Sequence, residues 1–345
     1  MEKSKNHLLV IRSSAMGDVA MVVPVLKAFF RLYPDVKITV LTKAAYATFF
    51  VQLPNVEVKT IKVNGSHKGL LGLRRLYKEL KKIDIDAVAD LHNVLRTNIL
   101  KKFFSLAKIP FEQINKGREE KKALTSFKNK VFKPLKTSHE RYADVFRILG
   151  YDIKLRVEDV LEKEKIDNIT RDLIGYNTQK WIGIAPFAQH EGKIYPLERS
   201  LQVIEELDKK DYRVLLFGGG KKEEVLLKNI AQKYKNVSCV AGQLNMRQEL
   251  DLISNLDVMV SMDSGNGHMA AMYGIPVVTI WGVTHPYAGF APFGQPESNN
   301  ILPDLDTYNL IPTSIYGNKF PDGYENATKS ILPETIIDKV IELIG

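Results

Sequence analysis

The segment with the clearest capacity for chemistry is the hexapeptide Ser13-Ser14-Ala15-Met16-Gly17-Asp18, which follows the short apolar run Leu8–Ile11. Gly17 allows a tight turn and the close approach of a ligand or another backbone. A carboxylate held just beyond a strand can act as a general base that removes a proton from an acceptor hydroxyl. It can equally cap the first turn of the following helix and complement its dipole. The pattern leaves both interpretations of Asp18 open.

A second group of polar residues, Asp263-Ser264-Gly265-Asn266-Gly267-His268, follows the apolar segment Val258–Ser261 and precedes a run of small residues. A serine and two glycines at the start of a helix expose backbone N–H groups, which bind phosphate together with the helix dipole. His268 can add a donor from the first turn, or it can be a packed core histidine. The convergence of these residue types on one turn favours a phosphate site.

Lys193 lies in a loop beside Gly192, after the expected strand Trp181–Ala185. There it can neutralise a diphosphate as a point charge, or it can be an ordinary solvated lysine. The triplet 218–220 is not a nucleotide fingerprint. Leu215 stands where a Walker A loop needs its first glycine, and Glu223 where a dinucleotide-binding loop needs its third. We interpret that triplet as a strand-to-helix turn beside a nucleotide pocket.

Strand-like and helical segments alternate along most of the chain, which predicts βαβ units and parallel sheets. The predicted strands are Leu8–Ile11, Val36–Leu41, Val56–Val63, Ala87–Leu91, Trp181–Ala185, Arg213–Phe217, Val237–Val240, Val258–Ser261 and Pro276–Trp281. The predicted helices include Leu70–Lys82, Ser138–Leu149, Leu197–Lys209, Lys221–Tyr234, Arg247–Asn255, Gly265–Tyr273 and Leu332–Ile344. The fold class is therefore α/β, with two doubly wound domains facing a cleft. Their ligands are expected beyond the carboxyl ends of the strands.

The alternation weakens over residues 151–180, which are charged and lack a strong apolar strand. We therefore place the domain junction there, with a first domain at 1–165 and a second at 176–330. Residues 286–330 are rich in Pro, Gly, Asn and Tyr and are read as an irregular excursion. Residues 331–345 form a final helix.

The composition narrows the class of protein. The 345 residues include 45% hydrophobic and 26% charged side chains, as in soluble globular proteins. The single cysteine excludes an intramolecular disulfide and suits a reducing cytoplasm. The seven histidines show no zinc-ligand spacing, so we predict no metal and no cofactor. No apolar run approaches the roughly 20 residues of a membrane helix.

The net charge of +9 is unevenly distributed along the chain. Residues 1–150 carry 29 basic and 13 acidic side chains, a net charge of +16, whereas residues 151–345 carry 20 and 27, a net charge of −7. Residues 101–136 alone have a net charge of +8. No RNA- or DNA-binding signature accompanies this basic segment, so nucleic acid is not the expected partner. The positive charge of this segment also suits an anionic second substrate or an anionic membrane leaflet.

Taken together, these motifs resemble glycosyltransferase family 9, the bacterial lipopolysaccharide heptosyltransferases. The resemblance covers residues 8–294 and depends on the order and spacing of individually modest motifs. Those motifs are residues 9–18, Asp90–Arg96, His139–Arg141, Lys193–Pro196, the segment from Ala241 to Leu252, and Asp257–Gly282. The chain departs from the family pattern at Asn266-Gly267, where the family often has Pro-Met, and at Tyr195, where Trp is frequent.

The resemblance implies a GT-B fold with two Rossmann-like domains and a last helix that crosses back to the first domain. It implies inverting, metal-independent transfer of a sugar, usually from ADP-heptose, to an anionic lipopolysaccharide core acceptor. Asp18 is then the general base. Donor binding falls to Lys193, Asp263, Ser264, Gly265, Gly267 and His268. Acceptor binding falls to Ser14, Met16, Gly17, Arg96 and His139.

Other classes of function stay open on the sequence. The first alternative is a non-catalytic two-domain binding protein for an anionic ligand related to a nucleotide sugar. A nicotinamide-dependent oxidoreductase is disfavoured because the dinucleotide fingerprint is absent. For the favoured function we expect a cytoplasmic enzyme with peripheral contact at the inner face of the cytoplasmic membrane.

Overall fold

A computed structural model describes residues 7–175 and 178–345. Its contacts divide the chain into two compact units. The first unit comprises the residues up to Lys116 together with Ser138–Leu161, and the second comprises Gly117–Thr137 and Glu162–Gly345. The predicted start of the second domain at residue 176 lies outside the described residues.

The first unit alternates strands and helices in the predicted manner. Its elements are β1 His7–Ile11, α1 Met16–Ala20, α2 Val22–Leu32, β2 Lys37–Thr42, β3 Val56–Thr60, α3 Gly69–Lys81, β4 Ala87–Asp90, α4 Leu95–Leu106 and β5 Phe111–Gln113. The helix α5 spans Arg118–Leu124 in the second unit, and α6, at Ser138–Ile148, returns to the first. Every strand pair of the first sheet is parallel, in the order β3-β2-β1-β4-β5.

The second unit repeats this architecture with a six-stranded sheet. Its further elements are α7 Asn168–Ile174, β6 Trp181–Ala185, α8 Leu197–Lys209, β7 Arg213–Leu216, α9 Lys221–Ala231, β8 Val237–Cys239, α10 Met246–Ile253, β9 Val258–Met262, α11 Gly265–Ala271, β10 Val277–Ile280, β11 Asn300–Ile301 and α12 Pro333–Ile344. The sheet is parallel, in the order β11-β10-β9-β6-β7-β8. The prediction of two doubly wound α/β domains is confirmed.

Each sheet has one point at which the direction of winding reverses. In the first sheet β1 lies beside β4, and in the second β6 lies beside β9. Successive strands are added outward on either side of these pairs. Ligands of open parallel sheets bind beyond the carboxyl ends of the strands at such a reversal. The loops that follow β1, β4, β6 and β9 are therefore the places where a site is expected.

The assignment of residues 117–137 differs from the predicted first domain of 1–165. This segment packs within the second unit, because Leu135 N donates to Tyr287 O at 2.9 Å and the Phe132 ring lies 5.1 Å from that of His285. Lys130 Nζ also donates to the carbonyls of Leu310 and Pro312, at 2.7 and 2.8 Å. We call residues 117–137 the strap.

Moving the strap to the second unit changes the distribution of charge. The first unit holds 24 basic and 14 acidic side chains, a net charge of +10. The second holds 25 and 26, a net charge of −1. The first unit stays basic, but the strongly acidic second half expected from the sequence disappears.

The final helix, α12, forms where the sequence predicts it. Four residues of α12 with an i, i+1, i+4, i+8 spacing belong to the core of the second unit: Ile336, Ile337, Val340 and Ile344. This apolar stripe packs against α8 and the sheet. The buried face of α12 therefore lies in the second unit, and the packing of residues 331–345 on the first domain stays a prediction. Throughout the described part of the chain, no helix combines the length and apolarity needed to cross a bilayer.

Candidate functional site

Asp18 lies in the first turn of α1, directly beyond the carboxyl end of β1. Its Oδ2 accepts a hydrogen bond from the backbone N–H of Ala15 at 3.0 Å, so the carboxylate does cap the helix. The side chain nevertheless stays 29% exposed. One oxygen can therefore be held by the protein while the carboxylate still meets a hydroxyl from outside. The capping and catalytic interpretations are compatible in this geometry.

Arg12 is the main partner of Asp18, a role that the sequence did not indicate. Its Nη2 lies 2.5 Å from Asp18 Oδ2, and its Nη1 donates to the carbonyl of Leu91 at 2.7 Å. The guanidinium is buried and lies 5.8 Å from the centroid of the Tyr142 ring. Tyr142 in turn donates from its hydroxyl to the Asp18 carbonyl at 3.3 Å. These contacts fix the carboxylate and its backbone from both sides.

His92 joins this group from the loop after β4. Its Nδ1 lies 3.1 Å from Ser13 Oγ, and its Nε2 lies 3.5 Å from Ser14 Oγ. Burial, followed by the charges of Arg12 and Lys116, lowers the pKa of His92 from 6.5 to about 3. The imidazole is therefore neutral at physiological pH, and a neutral ring donates from one nitrogen and accepts at the other. His92 thus positions both serines that precede Asp18.

Asp90 orders the loop that carries His92. It is fully buried at the end of β4, and its Oδ1 accepts from the backbone N–H groups of His92 and Asn93 at 2.9 and 3.1 Å. Its Oδ2 accepts from Gln113 Nε2 at 2.9 Å. The carboxylate serves the local backbone and is not presented to a ligand. We call Arg12, Ser13, Ser14, Asp18 and His92 the Asp18 cluster.

The predicted acceptor residues fall into two groups. Ser14, Met16 and Gly17 belong to the same loop and turn as Asp18, so the structure brings them together. Arg96 lies in the first turn of α4, close enough for its charge to act on His92. His139 is buried on α6, one helical turn before Tyr142. That burial gives His139 a packed environment, and its role toward an acceptor stays a prediction.

The pKa of His92 predicts a pH dependence of stability. In the unfolded chain this histidine takes up a proton below about pH 6.5, whereas in the folded protein it does so only near pH 3. Its contribution to stability is therefore complete above pH 6.5 and is lost as the pH falls toward 3. Chemical denaturation of His92→Gln should show an acid limb flatter by up to about 1.4 kcal/mol per pH unit.

The matched control for that experiment is His190→Gln, a half-exposed histidine in the second unit. This variant measures how the loss of a half-exposed histidine alters the acid limb, and the change in His92→Gln should exceed that effect. An unchanged slope in His92→Gln would show that this imidazole is not held neutral in the folded protein.

Lys193 and Asp263 form the central pair of the second unit. Lys193 Nζ lies 2.7 Å from Asp263 Oδ2 and donates to the Asp263 carbonyl at 3.3 Å. Thr284 Oγ1 also donates to Asp263 Oδ2, at 3.0 Å. Both side chains of the ion pair are largely buried, at 14% and 7% exposure. Lys193 is therefore an oriented cation, and its interpretation as a solvated lysine is wrong.

This geometry separates the roles of the two residues. A carboxylate that already accepts from Lys193 and Thr284 is suited to hold the lysine in place. It is poorly suited to touch a phosphate directly, because like charges repel at short distance. Asp263, predicted to bind the donor, thus acts on Lys193. We call Lys193, Asp263 and Thr284 the Lys193 cluster.

The loop of Lys193 is held by glycines that permit close backbone contact. A Cβ at Gly282 would lie 2.0 Å from the carbonyl oxygen of Gly192, and Val283 N donates to that same oxygen at 2.7 Å. A Cβ at Gly317, whose φ is +74°, would lie 2.6 Å from Lys193 Cγ. The irregular excursion near the C-terminus therefore supports the lysine loop, a role that the sequence did not indicate.

Because of this contact, Gly282→Ala should displace the lysine loop. We expect a loss of about 1–3 kcal/mol in the free energy of unfolding from overpacking, together with weaker donor binding. Gly65→Ala in the first unit is the matched control, since the nearest atom to a Cβ there lies 3.6 Å away, an ordinary van der Waals contact. Thermal unfolding and donor titration of both variants check this expectation, and equal behaviour of the two would contradict it.

The start of α11 supplies the remaining predicted donor residues. Ser264 is its N-cap, but the Ser264 hydroxyl contacts Ser261 Oγ at 3.0 Å and does not bond to the helix N–H groups. The Ser264 side chain therefore does not occupy the first-turn N–H groups of α11, which can donate to an oxyanion. His268 is buried within the helix. The structure brings Lys193, Asp263 and Ser264 to one edge of the sheet.

Both clusters coincide with the reversal points of their sheets. The Asp18 cluster is built from the loops after β1 and β4. In the Lys193 cluster, Lys193 and Asp263 come from the loops after β6 and β9, and Thr284 comes from the loop after β10. Arg12, His92 and Thr284 were missed because each becomes functional only through a contact distant in sequence. The one available signal was that Arg12 and His92 directly follow apolar strand segments, where ligand residues of such sheets occur.

Comparison with solved structures shows the fold. The fold resembles a solved glycosyltransferase family 9 protein from Veillonella parvula, with a TM-score of 0.74 at 17% identity, covering 100% of this chain and 98% of that one. It also resembles ADP-heptose LPS heptosyltransferase II of Escherichia coli, with a TM-score of 0.68 at 19% identity and 98% coverage of both chains. Two parallel domains of this kind constitute the GT-B fold of glycosyltransferases.

The family follows from sequence. The model of glycosyltransferase family 9 (heptosyltransferase) matches residues 73–305, and the chain belongs to this family. A lipooligosaccharide heptosyltransferase 2 of Haemophilus influenzae is 26% identical, covering 98% of this chain and 99% of that protein. A lipopolysaccharide heptosyltransferase 3 of Escherichia coli is 25% identical, covering 83% and 85%. The predicted family, enzyme class and fold class are confirmed.

Proposed function

We propose that this glycosyltransferase moves a heptose from ADP-heptose to an anionic acceptor of the lipopolysaccharide core. The observation that carries the proposal is the partly exposed carboxylate of Asp18, held by buried Arg12 at the reversal point of the first sheet. Support also comes from the names of the relatives, which are lipooligosaccharide and lipopolysaccharide heptosyltransferases. An Escherichia coli heptosyltransferase of the same fold was solved with ADP-2-deoxy-2-fluoro heptose.

The proposed reaction is a single displacement with inversion. Asp18 accepts the proton of the acceptor hydroxyl while that oxygen forms a bond to the anomeric carbon of the sugar. The bond between the anomeric carbon and the diphosphate breaks at the same time, and its electron pair leaves with ADP. His92 holds Ser13 and Ser14, so that the loop around Asp18 keeps one conformation during proton transfer.

The Lys193 cluster stabilises the negative charge that develops on the leaving diphosphate. Lys193 supplies a cation oriented by Asp263 and Thr284, and the first turn of α11 supplies N–H donors. A fixed cation costs no reorganisation when charge develops on the leaving group. We therefore assign donor binding to Lys193, Ser264, Gly265 and Gly267, with Asp263 acting through Lys193.

The net charge of the first unit agrees with an anionic acceptor. A net charge of +10 on the first unit suits a phosphorylated or carboxylated glycolipid. We propose that the enzyme acts in the cytoplasm and makes peripheral contact with the inner face of the membrane, where such an acceptor is presented. Arg96 and the loop Ser14–Gly17 contact the acceptor.

The test is a nucleoside-diphosphate-release assay across ADP-, GDP- and UDP-sugars with a lipid A–core acceptor. Release only from ADP-heptose, and only in the presence of acceptor, is the expected result. Binding of the nucleotide sugar without release under any condition would instead support a non-catalytic binding protein. Release from another nucleotide sugar would keep the reaction class and overturn the donor.

A further inference from the structure

Two neighbouring helices of the first unit expose leucines on their outer sides. On α3, Leu73, Leu76 and Leu80 are buried toward the sheet. Leu71 lies on the opposite side and is 81% exposed, and Leu70, at the first turn of the helix, is 63% exposed. Large apolar side chains at such exposure are normal when single, but adjacent ones point to an interaction surface.

The outer side of α4 shows the same feature. Leu95 and Leu106 are 78% and 84% exposed, and Lys102 lies between them at i+7 and i−4, on one stripe of the helix. The two helices pack on each other, because the Tyr77 ring lies 5.4 Å from that of Phe103. The exposed stripes of α3 and α4 are therefore neighbours.

The charged side chains of these two helices are mostly basic. Residues 69–82 hold five basic side chains and one acidic side chain, Glu79, and residues 95–106 hold three basic side chains and no acidic one. Glu79 lies 4.0 Å from Lys59 Nζ and 3.4 Å from His67 Nε2, so its carboxylate contacts side chains that precede α3. We call Leu70, Leu71, Arg74, Arg75, Lys78, Leu95, Lys102 and Leu106 the α3–α4 face.

An open groove of about 720 Å³ lies beside this face and is lined by Lys101, Lys102, Asn98, Ser105, Leu106 and Gln113. Lys101 donates to Gln113 Oε1 at 3.1 Å, which holds one ammonium at the wall of the groove. Two lysines and several hydrogen-bonding side chains next to an exposed leucine match the chemistry of an anionic lipid headgroup above its acyl chains.

We propose that the α3–α4 face docks on an anionic lipid bilayer. The leucines enter the boundary between headgroups and acyl chains, and the arginines and lysines contact lipid phosphates. A second copy of the chain is a poor occupant, since two such faces would bring like charges together. Exposed leucines are likewise not what a nucleic-acid backbone would need.

The position of the α3–α4 face relates docking to sugar transfer. This relation rests on the proposed function. Leu70, Leu71 and Leu95 lie at the starts of α3 and α4, which follow the carboxyl ends of β3 and β4. The Asp18 cluster occupies that same edge of the sheet. A bilayer contacted there would present the headgroup of a membrane-anchored acceptor to the edge that carries the base.

The experiment is sedimentation of the full-length protein with vesicles of phosphatidylcholine alone or containing 30% phosphatidylglycerol. We expect binding to the anionic vesicles only, weakened by salt. Leu71→Ser/Leu106→Ser and Arg74→Gln/Arg75→Gln should each lower the partition coefficient roughly tenfold, since two apolar or two charged contacts are lost. The matched control is Val225→Ser on α9, where a 62% exposed valine lies among mixed charges.

Three outcomes would overturn the inference. They are failure of the wild type to bind anionic vesicles, unchanged binding by both double variants, and a wild-type dimer in solution that Leu71→Ser/Leu106→Ser dissociates. Nucleotide release with a water-soluble core oligosaccharide separates this inference from the proposed function. The double leucine variant should keep that activity. If the wild type binds vesicles but releases no nucleotide, the proposed function is wrong and the docking of the α3–α4 face is still supported.

Discussion

Asp18→Asn is expected to lower the rate of sugar transfer by roughly 10²–10⁴-fold, the range usual for a general base. The amide keeps the size of the side chain but cannot accept the proton of the acceptor hydroxyl. Donor binding should be unchanged, because its proposed contacts belong to the second unit. Nucleotide-release kinetics and calorimetric titration of the nucleotide sugar measure the two quantities.

The stability of this variant must be measured as well. Arg12 is buried and would lose its carboxylate partner, which we expect to cost roughly 2 kcal/mol of unfolding free energy. Asp35→Asn, at an exposed aspartate of the same unit, controls for a general effect of lost charge and should behave as the wild type. Wild-type transfer by a folded Asp18→Asn protein would remove Asp18 as the base.

Lys193→Met should weaken donor binding by roughly 10–100-fold, the equivalent of one charge-assisted hydrogen bond. It should also destabilise the fold by roughly 3 kcal/mol, because Asp263 would be left buried without its cation. The two effects have different causes and can be separated. Lys235→Met, at an exposed lysine of the same unit, is the matched control and should change neither quantity.

The double variant Lys193→Met/Asp263→Asn distinguishes the loss of donor affinity from the loss of stability. It removes the buried carboxylate together with the lysine, so the free energy of unfolding should return most of the way to that of the wild type. Donor affinity should stay low, since the cation is still missing. Recovery of donor binding in the double variant would show that Lys193 only neutralises Asp263 and does not meet the diphosphate.

Local pattern was sufficient to predict most of the fold. The strand Trp181–Ala185 and the helix Leu197–Lys209 have the predicted bounds, because the strand is apolar and the helix has a clear amphipathic period. By contrast, β5 has three residues, Phe111–Gln113, in a basic segment, which is too short for a period to show. In the site, Asp18, Lys193 and Asp263 were predicted, whereas the contacts that orient them were not.

Those partners depend on which strands lie side by side. Lys193 meets Asp263, 70 positions further on, because β6 is next to β9. Arg12 reaches the carbonyl of Leu91 because β1 is next to β4. A single sequence predicts strands but not their order in the sheet, so neither pair could be inferred. The assignment of the strap failed for the same reason, since its partners near Tyr287 lie about 150 positions away.

The strap has a practical consequence for anyone who wishes to divide this enzyme into its parts. Between Lys116 and Glu162 the chain passes from the first unit to the second, back again, and once more to the second. A fragment that begins near residue 165 would lack residues 117–137 and would uncover the rings of His285 and Tyr287. Autonomous halves therefore cannot be obtained by one cut, and a separable donor-binding fragment would need the strap spliced to its amino end.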